Sequence, residues 1–72
     1  MFLSKNIKYL REQTGMIQKD LAKFLGYKAK SSLCLIEKGE SQLSIENLEK
    51  ISDFFGVTMD QLVKKDLSKG VE

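Results

Sequence analysis

QKDLAKFLGYKAKSSLCLIEKG, residues 18–39, holds two short helical patterns that meet at a turn near Gly26–Lys28. Leu21, Ala22 and Leu25 fall at i, i+1 and i+4 and give the first pattern an apolar face. Leu33 and Ile36 fall at i and i+3 and give the second an apolar seam. At about 100° per residue, Ser31, Cys34, Leu35 and Lys38 then point away from that seam.

Two helices joined by a tight, glycine-containing turn, with one small outward face, form a helix-turn-helix. Working outward, the first helix is expected from about Ser4 to Thr14, with Ile7 and Leu10 inward and Gly15 as a left-handed stop. Tyr9 lies off that face and is expected at the surface. Met16-Ile17 leads into helix 2, and Ile17 offers no oxygen to cap it. Helix 3 is expected from Lys30 to Glu37, stopped by Gly39, with a loop over Glu40–Leu43. Ser44 is an N-cap for helix 4, with Glu46 in its first turn. Ile45, Leu48, Ile51 and Phe55 repeat as a core stripe, and Gly56 ends the helix. Thr58-Met59-Asp60-Gln61 is a capping box, so helix 5 starts at Met59 and turns Leu62 inward. The pattern gives one all-α domain of five helices over residues 1–67. Residues 68–72 are expected to form a loose tail.

Composition narrows the function classes. A chain of 72 residues buries roughly 60% of its unfolded surface, so its stability is modest. Cys34 is the only cysteine and there is no histidine, which excludes the ordinary structural zinc patterns and any Ser/His/acid set. The expected compartment is reducing and cytoplasmic. No run of about 20 apolar residues is present to span a membrane. Residues 1–38 hold eight basic residues against three acidic ones, net +5, and residues 39–72 hold four against seven, net −3. Such asymmetry suggests one face turned toward an anion.

The ordered set Ile7-x-x-Leu10-Arg11, Gly15, Gln18-x-x-Leu21-Ala22, Leu25-Gly26, Ile36-Glu37-Lys38-Gly39, Phe55-Gly56-Val57 and Asp60-x-Leu62 resembles the XRE family, the lambdoid-phage Cro and repressor type of helix-turn-helix. The resemblance covers about residues 6–63 and implies a five-helix, lambda-repressor-like domain that binds operator DNA, usually as a symmetric dimer. Counting back from Gly39, the spacing of helix 3 fits the family. Counting forward from Gly26 leaves one residue too many, so Tyr27-Lys28-Ala29 holds a one-residue insertion. Ala29 stands where a capping Ser or Thr is expected. Leu43 stands where the family usually has proline.

The resemblance also implies roles. Arg11 and Glu37 match a partly buried ion pair that fixes the reading helix. Lys30, Ser31, Ser32 and Leu35 occupy the base-reading positions: Lys donates to guanine, Ser pairs with several edges and Leu touches a thymine methyl. Gln18 is expected on a phosphate, or bracing the start of the reading helix. Lys28 and Lys38 suit phosphate, with backbone N–H groups near Gly39 and Ser41 adding to them. Phe54, Val57 and Met59 mark an isologous dimer patch at the corner of helices 4 and 5; the competing reading places them in the core of a monomer. The expected function is a sequence-specific transcriptional regulator, a repressor or Cro-like protein that occludes a pseudo-palindromic operator on double-stranded DNA as a weak homodimer. The alternative is a protein-interaction module on the same fold, such as an antitoxin-like binder, whose partner docks on the outward face of helix 3. No enzyme activity, metal or cofactor is expected.

Overall fold

A computed structural model describes residues 2–69, which form α1 (Leu3–Gln13), α2 (Gln18–Phe24), α3 (Lys30–Glu37), α4 (Ile45–Phe55), α5 (Met59–Lys64) and a closing 3-10 turn, Leu67–Lys69. The helix ends follow local chemistry. The Ser44 hydroxyl accepts the Asn47 backbone N–H at 3.1 Å and starts α4. Thr58 and Gln61 exchange two 3.0 Å hydrogen bonds and start α5 as a full capping box. α2 and α3 begin with no side-chain cap, because Ile17 and Ala29 stand at their N-caps.

Each helix contributes one fully buried aliphatic side chain to a common core: Ile7, Leu21, Leu33, Ile51 and Leu62 are all 0% exposed. Burying one such side chain is worth about 1.5–3 kcal/mol. Leu25, Ile36 and Leu48 complete the centre, and Leu10, Phe55 and Val57 pack partly buried against it. The seam read from residues 18–39 is therefore the inner face of the pair, as the spacing predicts.

Two core assignments need correction. Ile45 is 66% exposed, so the α4 stripe begins at Leu48. Ile45 is the first residue of the helix, about one turn before Leu48. Tyr9 is half-buried against the core instead of lying at the surface.

The expected tail begins at Ser68, but Ser68 and Lys69 belong to the 3-10 turn; residues 70–72 lie outside the described residues. Leu67 is buried there, and its N–H reaches the Oδ1 of Asn6 at 2.9 Å. Asn6, 0% exposed, also donates its Nδ2 to the Leu62 carbonyl at 2.7 Å and the Lys65 carbonyl at 2.5 Å. One asparagine of α1 thus closes the open end of α5 and turns the chain back. Read as sequence, a polar residue beside Ile7 gives no sign of this.

Candidate nucleic-acid interface

Lys30, Ser31 and Leu35 are exposed on α3, Leu35 at 42%, while Ser32 and Cys34 are half-buried. Three of these side chains stand open to solvent, and Ser32 and Cys34 are partly covered by the protein. Leu33 and Ile36 hold the opposite side of the helix against α1 and α2.

An ion pair fixes the far end of α3. Arg11 Nε donates to Glu37 Oε2 at 2.7 Å, and its Nη2 donates to Oε1 at 3.2 Å. The side chains are 11% and 3% exposed. Arg11 Nη1 also donates to the Met16 carbonyl at 2.9 Å, which ties down the lead-in to α2. The hydrogen bond to Glu37 raises the Arg11 pKa against the opposing effect of burial, so the guanidinium stays charged.

Gln18 joins the same carboxylate, its Nε2 donating to Glu37 Oε1 at 2.9 Å. Of the two roles expected for Gln18, its amide group performs the bracing one, at the end of α3 rather than its start. The three donors on Glu37 come from α1 and α2, so one carboxylate joins three helices.

Cations line the rim. Arg11, Ile17, Gln18, Lys19 and Lys30 border one shallow depression. Lys19, Lys23, Lys28 and Lys30 border a second, with Ala22, Tyr27 and Ala29. Lys38 is exposed just beyond α3. The expectation for the backbone N–H groups after α3 changes. Gly39 N–H goes to the Ile36 carbonyl at 3.0 Å, and Glu40 N–H goes to Leu35 at 2.9 Å. Both close the helix end, and Gly39 needs its φ of +78° for this. Ser41 is exposed beside them.

At the opposite corner Phe54 is 48% exposed, whereas Val57 and Met59 lie half-buried against the core. Phe54 packs at a tilt of 41° against Phe24 of α2, itself 42% exposed, with ring centroids 4.9 Å apart. Phe55 meets Phe54 edge-on at 5.0 Å. The sequence reading identified Phe24 only as apolar; a contact across 30 positions leaves no local signal.

No described helix is long and apolar enough to cross a membrane. Comparison with known proteins places the helix-turn-helix family on residues 7–62. An uncharacterized HTH-type transcriptional regulator of Methanocaldococcus jannaschii is 35% identical over 60 residues, covering 83% of this chain and 89% of its own. HTH-type transcriptional regulatory proteins of Saccharolobus islandicus and Saccharolobus solfataricus, provisionally named as such, are 44% identical over 50 residues. That match covers 69% of this chain and 16% of theirs, so the chain spans about one sixth of their length. No solved structure matches the chain.

Proposed function

The chain belongs to the helix-turn-helix family, and from that membership we propose that it is a sequence-specific transcriptional regulator acting as a repressor by occlusion. α3 enters the major groove, α2 lies across the backbone, and a bound dimer blocks polymerase or a competing regulator. The observation that carries this reading is the anchoring of α3. Its outward face is exposed, its inner face is buried, and Arg11 and Gln18 fasten its end to α1 and α2 through Glu37. A helix held that firmly presents Lys30, Ser31 and Leu35 in a fixed register, and the exposure of Lys28, Lys38 and Ser41 supports their role on phosphate.

Selection of bound duplexes from a random pool tests the reading. The expected product is a pseudo-palindrome with half-sites about 34–36 Å apart. Affinity should fall with salt at a slope of about −0.9 per phosphate neutralised. Lys30→Ala should relax preference at one base position, at a cost of about 1–3 kcal/mol. Lys38→Ala should instead weaken all sequences alike.

The proposed dimer forms through Phe54, Val57 and Met59. The exposed Phe24–Phe54 pair supports this patch, because aromatic rings left at the surface gain most from a second copy. A patch of this size gives a weak dimer that DNA strengthens. Phe54→Asp leaves the five buried core positions intact and should abolish the 2:1 complex on a palindrome in sedimentation. A Phe54→Asp variant that binds the palindrome as wild type rules the interface out.

One observation favours a second reading, a protein-binding module: Leu35 is 42% exposed at the centre of the outward face. Absence of binding to any duplex at about 50 mM salt would select it.

A further inference from the structure

Ile17 is 58% exposed, so packing against the core does not account for it. Capping does not account for it either. Its extended backbone suits a hydroxyl residue at the N-cap of α2, and isoleucine has no oxygen to offer there. The chain gives up a cap at this position and leaves an aliphatic side chain in water.

The seat of Ile17 is rigid. The preceding carbonyl, that of Met16, accepts Arg11 Nη1 at 2.9 Å, and the Met16 N–H returns to the Arg11 carbonyl at 3.1 Å. The Ile17 carbonyl accepts the N–H groups of Asp20 at 3.1 Å and Leu21 at 3.3 Å. Arg11 also holds Glu37 of α3, and Gln18, the next residue in the chain, holds it from α2. Ile17 and α3 are therefore fixed in one frame. Arg11, Ile17, Gln18, Lys19 and Lys30 border one depression, which puts Ile17 on a rim shared with the first residue of α3. Ile17 is the one apolar residue of the five.

We propose that Ile17 is a specificity-determining residue, packing its side chain against the C5-methyl group of a thymine next to the base pair that Lys30 reads. The inference rests on the DNA-binding reading above. The cations around Ile17 draw a duplex onto this rim. Ile17 itself has no hydrogen bond to give a phosphate, and the apolar group that base edges present in the major groove is the thymine methyl. Burying it against Ile17 removes both from water. Leu35 lies five residues along α3 from Lys30, a rise of about 7.5 Å, so its own methyl contact falls at a different base pair. The missing cap and the exposed side chain then have one cause: the position serves DNA and not the helix.

The test uses the duplex selected from the random pool, with each thymine of the half-site replaced in turn by deoxyuridine, which removes only the methyl group. At one thymine, beside the pair where Lys30→Ala relaxes preference, wild type should lose affinity by about fourfold per methyl group. Ile17→Ser gains a cap and loses the aliphatic carbons. It should melt at a higher temperature than wild type, bind the thymine duplex more weakly, and not distinguish thymine from deoxyuridine at that position. Ile17→Val, aliphatic and uncapped, should keep the distinction. The salt slope should stay that of wild type in both variants, because no phosphate contact changes. An Ile17→Ser variant that responds to methyl removal as wild type does overturns the proposal. So does one that loses affinity equally on both duplexes, which would put Ile17 on the sugar–phosphate strand, and so does a selected site with no thymine beside the Lys30 pair. A wild-type chain that selects no duplex fails the DNA-binding reading itself, a separate result.

Discussion

Glu37 shows how much one side chain decides. Its carboxylate takes two hydrogen bonds from Arg11 and one from Gln18. With Glu37 removed, a nearly buried guanidinium keeps the Met16 carbonyl at 2.9 Å and the more distant Glu12 carboxylate at 3.9 Å. Glu37→Ala should therefore cost about 3–5 kcal/mol in urea unfolding, far above a surface substitution. Wild-type stability of that variant would contradict the structural role.

Asp66 makes a different prediction, about acid. The hydrogen bond from Lys5 at 2.8 Å, then those from Ser68, hold its pKa below the ordinary aspartate value. A folded pKa below the unfolded one adds stability above the unfolded pKa. That contribution disappears as pH falls through the folded pKa, below about pH 4. The Asp66 carboxyl resonance should titrate at lower pH than a free aspartate. Lys5→Met should move the midpoint back up.

At the scale of elements, α2 and α3 lack what α4 and α5 have. Ile17 (φ −86°, ψ 161°) and Ala29 (φ −140°, ψ 148°) already hold extended N-cap backbone. A hydroxyl at either position could accept a free backbone N–H of the first turn. Ile17→Thr and Ala29→Ser should each raise stability by about 0.5–2 kcal/mol in denaturant melts. Ile17 is 58% exposed, so little packing is lost with it.

These termini were legible because caps, boxes and stop glycines are written within a few residues of each helix end. The Arg11–Glu37 pair was legible through the family resemblance alone. Asn6, Phe24 with Phe54, and Tyr27 with Asn47 were not legible, since each meets its partner through tertiary packing. Ile45 misled because a periodic stripe does not say where the neighbouring helices end. The bracing role of Gln18 was legible as well, but at the start of α3; its partner, Glu37 at the far end, was not.

Across the whole molecule, the two charge halves follow the order of the chain: α1 to α3 lie in the basic half, and α4 and α5 in the acidic one. The base-reading and phosphate candidates up to Lys38 fall in the first, and the proposed dimer patch falls in the second. A segregated charge of this kind orients the molecule before contact and speeds encounter with a polyanion at low salt.

The Asn6 clasp has a consequence for topology. Phe2 N–H bonds the Val63 carbonyl at 3.1 Å, and Asn6 bonds Leu67 at 2.9 Å, so both ends of the described chain meet at α1 and α5. Within residues 2–69 the chain is close to a ring with one gap. Closing that gap with a short Gly-Ser linker and opening the chain at exposed Gln42, in the loop before α4, should give a circular permutant of the same fold. Its closure adds little loop entropy, so a cooperative thermal transition within a few degrees of the parent is expected. Non-cooperative melting of the permutant would mean that the order in which the helices leave the ribosome, and not only their contacts, is needed to build this domain.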